Sequence, residues 1–276
     1  MISAMRRPLV PAVALAISGC ELVFPVATTG IDAPPPDCDN TLDEDSDGVF
    51  DCDDVCPGEA DNQQDTDGDG IGDACDPHRN DPTDYVVRRT FFYAGRELDG
   101  WVPNPDWMPC AGCVQTASLD APSQPLMATP PLGYTDEITV EIGVVLGGLG
   151  AASPNRIGVW LDGASSLVGK HACVLEEIDM IPAVIPLVMY ADENAQSSTP
   201  APVDFTVFPV RAVFQFTRRS MPQKELDCEV QTPTARVMPP GPLIPVDTTP
   251  TGSFGIEGFH AAVEAHHVIV YAQPNQ

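Results

Sequence analysis

Residues 137–146 read EITVEIGVVL. Ile138, Val140, Ile142 and Val144 fall on one side of an extended chain and Thr139 and Glu141 on the other, because successive side chains of a strand alternate. A period of two in β-branched residues is the pattern of a half-buried strand. Runs of similar texture lie on either side: VVRRTFFY (86–93), NRIGVWL (155–161), ACVLEEI (172–178), AVIPLVMY (183–190), FTVFPVRAVFQFT (205–217) and AAVEAHHVIVY (261–271). Helical periodicity is hard to find. The 30 prolines also work against helices, since proline lacks an amide donor and clashes with the preceding turn. Many strands with long turns and no alternating helices predict a mainly β chain, an antiparallel β-sandwich over residues 85–276.

The end of the chain sharpens this. Residues 252–271 read GSFGIEGFHAAVEAHHVIVY, and residues 160–163 read WLDG. The first stretch resembles the closing hairpin of concanavalin A-like, laminin G-like jelly rolls, and the second fits a strand and turn of that fold. The resemblance implies a jelly-roll sandwich, a fold that hosts both carbohydrate binders and carbohydrate-active hydrolases, so fold alone does not choose between them. Trp101, Trp107 and Trp160 are either sugar-stacking platforms or core residues, since a large aromatic side chain serves both uses.

Ahead of the sandwich, residues 43–76 read DEDSDGVFDCDDVCPGEADNQQDTDGDGIGDACD. The pattern D-x-D-x-D-G-x-x-D-x-x-D occurs twice. Asp43, Asp45, Asp47, Gly48, Asp51 and Asp54 make the first copy, and Asp65, Asp67, Asp69, Gly70, Asp73 and Asp76 the second, 22 residues on. Calcium takes six to eight oxygen ligands from carboxylates, carbonyls and water. Carboxylates two residues apart converge on one ion only where the backbone turns sharply, and glycine allows that turn by accepting a positive φ. We therefore expect one calcium site from Asp43, Asp45, Asp47, Asp51 and Asp54 with the Val49 carbonyl. A second is expected from Asp65, Asp67, Asp69, Asp73 and Asp76 with the Ile71 carbonyl. The twelfth position is Asp where an EF-hand loop has a bidentate Glu, and the flanks are not helix patterns. Residues 37–84 carry 18 acidic side chains against one basic one, Arg79. An unpatterned acidic block would be disordered; the repeat, the placed glycines and the cysteines argue against that here. The quoted residues, with Cys56-Pro57, Asp61-Asn62-Gln63-Gln64 and Cys75-Asp76-Pro77, resemble the thrombospondin type 3 repeat over 37–84. That resemblance implies an irregular segment wrapped around calcium and stitched by disulfides.

Residues 1–20 have the form of an export signal: Arg6 and Arg7, an apolar run from 9 to 17 too short to span a bilayer, then Ile17-Ser18-Gly19-Cys20. The small residues before Cys20 resemble a bacterial lipobox, which implies cleavage before Cys20 and acylation of its thiol. We expect an exported protein held to the bacterial envelope at the outer membrane or cell surface by lipid alone. Residues 21–36 form a proline-rich tether. With Cys20 set aside, eight of the nine cysteines remain, an even number that reads as disulfides in an exported chain. Local spacing suggests Cys38–Cys52, Cys56–Cys75, Cys110–Cys113 and Cys173–Cys228, although eight cysteines allow 105 connectivities.

The net charge of −27 is concentrated in the acidic segment, and no basic stripe is present for nucleic acid. Catalytic constellations are weak. Glu137, Glu141, Glu176 and Glu177 read as solvent-facing strand residues. His266 and His267, adjacent on a strand, should point to opposite faces. His78, His171 and His260 have no partner at ligand spacing and read as structural. Cys110-Ala111-Gly112-Cys113 sits among Pro and Gly without a βαβ context and reads as a loop disulfide. The expectation is a non-enzymatic, calcium-binding, adhesion-like lipoprotein. Its sandwich binds a polysaccharide, matrix or cell-surface component. A hydrolase on the same fold and a plain spacer are the alternatives.

Overall fold

The structure, a computed structural model, describes residues 42–92, 98–119, 126–128, 137–161, 171–177, 185–191, 194–201, 209–219, 225–239 and 253–274. Cys20, Cys38, the signal stretch and the tether lie outside them. Two sheets face each other, and no helix occurs among the described residues. The larger sheet runs in the order β12 (Ala235–Val237), β11 (Glu225–Thr232), β10 (Val210–Arg219), β5 (Glu137–Leu149), β14 (Ala261–Gln273), β3 (Cys113–Thr116) and β2 (Trp107–Cys110), with β1 (Tyr85–Phe91) also paired to β14. The smaller sheet runs β4 (Leu126–Met127), β13 (Phe254–Phe259), β6 (Asn155–Leu161), β7 (His171–Glu177), β8 (Ile185–Ala191) and β9 (Asn194–Ala201). The described strand pairs are antiparallel.

The alternation read in 137–146 holds. Ile138, Val140, Ile142 and Val144 all enter the core between the sheets, against Phe214 and Phe216 of β10 and Val159 of β6. Trp101 and Trp107 belong to that core, at 4% and 3% exposure. Cys173 on β7 and Cys228 on β11 are bridged with Cα atoms 5.5 Å apart, joining the two sheets through the core. Closing a loop of this length stabilises a fold by about 4 kcal/mol in the chain-entropy view. Cys110 and Cys113, read as a loop disulfide, are bridged at the turn of the β2–β3 hairpin, where Gly112 takes φ 77°.

Much of the outer face of the larger sheet is covered. The acidic segment packs across it, and both belong to one compact unit, Ala33–Gln276. Cys56, Ile71 and Cys75 of the segment form a second apolar cluster with Ile269 and Tyr271, which point outward from β14. Cys56 and Cys75 are bridged, and Cys52 is also disulfide-bonded. One expectation is overturned: Glu141 is 1% exposed beneath the segment, and Glu176 and Glu177, on β7 of the smaller sheet, are 3% and 4% exposed, so none of the three is solvent-facing. Alternation assigns a strand residue to a face; it carries no information about what covers that face.

Candidate functional site

The repeat in the sequence is a repeat in the backbone. Gly48 and Gly70 take φ of 97° and 91°, and their neighbours two residues earlier, Ser46 and Gly68, are also left-handed at 66° and 83°. The Gly48 amide donates to Asp43 Oδ2 and the Gly70 amide to Asp65 Oδ2, at 3.1 and 2.9 Å. Val49 and Ile71 amides donate to Asp47 Oδ1 and Asp69 Oδ1 at 2.7 and 2.8 Å. Cys56 and His78 amides donate to Asp54 Oδ1 and Asp76 Oδ1 at 2.7 and 2.6 Å. In Asp43, Asp47, Asp54, Asp69 and Asp76 one oxygen ties down the loop and the other is left to face its neighbours, whereas both oxygens of Asp65 accept loop amides, from Gly68 and Gly70 at 2.7 and 2.9 Å.

The aspartates converge in four sets. Asp43, Asp45 and Asp47 bring ligand atoms within 4.8 Å of one another, and so do Asp65, Asp67 and Asp69. Two further sets, Asp47–Asp54–Asp61 and Asp69–Asp76–Asp84, meet the same distance. Asp47 and Asp69 therefore each belong to two sets. Buried oxygens without a hydrogen-bond partner occur on Asp43, Asp45, Asp51, Asp54, Asp61, Asp67, Asp69 and Asp84. A buried carboxylate oxygen left without a partner is costly, and several aimed at one another more so. Burial, together with neighbouring carboxylates, pushes Asp45 and Asp76 up to about 7 and Asp54 and Asp69 to about 6. A divalent cation at the point of convergence relieves both the desolvation and the repulsion. The residues present therefore fit the group that the repeat implies.

Of the expected ligands, Asp51 and Asp73 stand apart from these sets. Asp51 Oδ1 accepts from the Glu44 amide at 2.8 Å, and Asp73 accepts from the Thr66 amide and hydroxyl at 2.7 Å each. They brace each loop seven residues back. Sequence reading missed Asp61 and Asp84 as members. They lie 23 residues apart, one off the period of 22, because the chain leaves the second loop for the first strand of the sandwich. It also missed Gln63. Its amide nitrogen donates to Asp54, Asp61 and Asp47 at 2.7, 3.0 and 3.2 Å, placing partial positive charge where that set meets.

Side chains of the larger sheet hold this segment. Gln215 on β10 donates to the Cys75 carbonyl at 3.1 Å and to Glu141 Oε2 at 2.9 Å. His78 bridges Asp84 (2.9 Å) and Glu137 (3.2 Å). Hydrogen bonds from those two carboxylates raise the imidazole to about 10, so it is protonated at neutral pH. Glu44 lies 3.0 Å from His266 Nδ1 and 3.7 Å from Arg211. The histidine pair departs from expectation. A bulge between Ala265 and His267 inserts one extra residue in β14, so the alternation slips and both rings meet the acidic segment. His267, fully buried, lies 3.3 Å from Glu141 Oε1 and against Gly58 and Gly143. A Cβ on Gly143 would sit 2.2 Å from the His267 ring, so only glycine fits there.

The outer face of the smaller sheet carries a third apolar cluster, Trp160, Ala172, Val174 and Val188, beside a charged group. Arg156 pairs with Glu176 at 2.6 Å, and the Tyr190 hydroxyl donates to Glu176. Glu257 is fully buried nearby, and desolvation raises its carboxyl to about 7. The four glutamates weighed as catalytic are all engaged: Glu137 with His78 and Arg219, Glu141 with Gln215 and Tyr271, Glu176 with Arg156, and Glu177 with Asn155 at 2.7 Å.

No protein-family model matches the chain, and no curated protein matches it in sequence. Solved structures do resemble it. The exoplasmic/lumenal domain of VIP36 in a Ca2+- and mannose-bound form aligns with a TM-score of 0.51 at 10% identity, over 70% of this chain and 93% of that one. The CBM2 module of the evolved Dit of Lactobacillus casei BL23 phage J-1 aligns at 0.50 and 12% identity, over 70% and 98%. At these identities the likeness is one of fold, and it agrees with the strand order and packing described above. The chain carries a concanavalin A-type antiparallel β-sandwich.

Proposed function

We propose that this is an exported calcium-binding protein whose β-sandwich binds a glycan outside the cell. The observation that carries the reading is the four sets of converging aspartates with buried, unpartnered oxygens. When bound, calcium would supply a hard cation that accepts these carboxylates together with carbonyls and water. Asp43, Asp45, Asp47, Asp54, Asp61, Asp65, Asp67, Asp69, Asp76 and Asp84 would hold it. Asp51, Asp73 and Gln63 would hold the loops in register. Because the loops have few apolar contacts apart from Ile71, cation binding would supply much of the energy that orders them.

The glycan part rests on the fold that this chain shares with the VIP36 domain, whose structure holds Ca2+ and mannose. The anchoring part rests on Cys20 and the residues before it. Calorimetric titration of the full chain with Ca2+, followed by a glycan array with and without chelator, tests the reading. Heat of binding abolished by chelator and calcium-dependent glycan capture are the expected results. No heat of binding would overturn the calcium assignment, and an array without captured glycan would overturn the lectin-like one.

A further inference from the structure

The acidic segment does not lie flush against the larger sheet. Between them runs a cleft of about 310 Å³. Asp45 and Glu59 line it from the segment, Arg211, Val213 and Gln231 from β10 and β11, and Pro233 just past the end of β11. We propose that this cleft is the glycan site and takes one neutral sugar unit of a larger polysaccharide. The inference rests on the glycan reading above and adds where the sugar sits and of what class it is.

Size is the first argument. The volume is at the small end of the range for small-molecule sites, about 300–1,000 Å³, which suits one sugar ring better than several. Chemistry is the second. A sugar hydroxyl both donates and accepts, and vicinal hydroxyls match planar groups with paired atoms. Here the Glu59 carboxylate accepts, a guanidinium donates, and the Gln231 amide does both. Val213 supplies apolar surface for the ring carbons. These groups are already held: Arg211 lies 3.7 Å from Glu44, which His266 also contacts, and Gln231 hydrogen-bonds Glu59. Polar groups fixed before binding cost less to order.

Charge favours a neutral unit. Asp45 and Glu59 are balanced by Arg211 across the cleft and by Arg236, 3.9 Å from Glu59, so no surplus charge is offered to a carboxylate or sulfate on the sugar. An extended peptide is a poor occupant. The sheet side of the cleft is β10 and β11, each hydrogen-bonded to strands on both sides, so no strand edge is offered for pairing. Asp45 also belongs to the first aspartate set. The cation and the sugar therefore meet at one side chain, and whatever change one makes in the affinity of the other is reciprocal.

The test uses the full chain and two variants that leave every aspartate in place. Val213→Trp fills the cleft, and Gln231→Leu removes its amide. In calcium, the glycan that the unmodified protein captures best on an array should bind each variant at least about tenfold more weakly, the scale of a lost hydrogen bond or blocked pocket. The calcium isotherms of the variants, measured without glycan, should match that of the unmodified chain, which also reports that they fold. Should Val213→Trp fail to fold, Gln231→Leu decides alone. Equal glycan binding by a folded variant overturns the cleft as the site and leaves the proposed function standing. Absence of glycan capture by the unmodified protein overturns both.

Discussion

Ile71→Ala should destabilise the whole sandwich although the residue lies in the acidic segment. Ile71 is 1% exposed and packs with Cys56, Cys75, Ile269 and Tyr271, so it is the apolar contact through which the second loop sits on β14. Truncation removes three carbons. At about 0.8 kcal/mol for each buried methylene the transfer loss is about 2.4 kcal/mol. The cavity left beneath Tyr271 adds to this, bringing the expected loss to about 2–5 kcal/mol. Phe50→Ala, in the first loop and 46% exposed, should stay within about 0.5 kcal/mol. Guanidinium unfolding followed by tryptophan fluorescence is the suitable assay, because Trp101, Trp107 and Trp160 all lie in the sandwich and none in the segment. A fluorescence transition unmoved by Ile71→Ala would refute the reasoning, since it would mean that the segment unfolds from the sheet as a separate unit.

Glu257→Gln should stabilise the protein at pH 8 by up to about 3 kcal/mol and change little near pH 4, as shown by denaturation at the two values. Burial raises the Glu257 carboxyl to about 7 from its ordinary value of 4.5. Its stabilising protonated form is therefore intact below 4.5 and lost as the pH rises through 7; an equal effect at both pH values would contradict this. Asp69→Asn should remove two calcium ions from the calorimetric stoichiometry and Asp65→Asn one, since Asp69 belongs to two aspartate sets and Asp65 to one. Equal losses would mean that the sets are not filled separately. Cys20→Ala should move the protein from the detergent phase to the aqueous phase on partitioning, and unchanged partitioning would sink the lipid anchor.

The sequence by itself determined the strands, their inward faces and the aspartate loops. These are local properties: alternation in 137–146 fixes which side of β5 is apolar, and the spacing around Gly48 and Gly70 fixes how each loop turns. The pairing of Cys173 with Cys228 was legible because few cysteines remained to choose among. Strands β2, β3, β4, β9, β11 and β12 were missed, since short or polar strands such as NAQSSTPA carry no apolar alternation and are set by their neighbours. Only the tertiary structure decided what covers each outward face. Glu141 and His267 are buried because the acidic segment lies over them, and the bulge in β14 that turns both histidines toward it leaves no mark in AAVEAHHVIVY. Asp61 and Asp84 became members of the aspartate sets for the same reason: they are brought in by the path of the chain between loops. A sequence period records contacts made within a repeat, whereas the cover on the sheet and the cleft beneath it are contacts between parts of the chain more than a hundred residues apart.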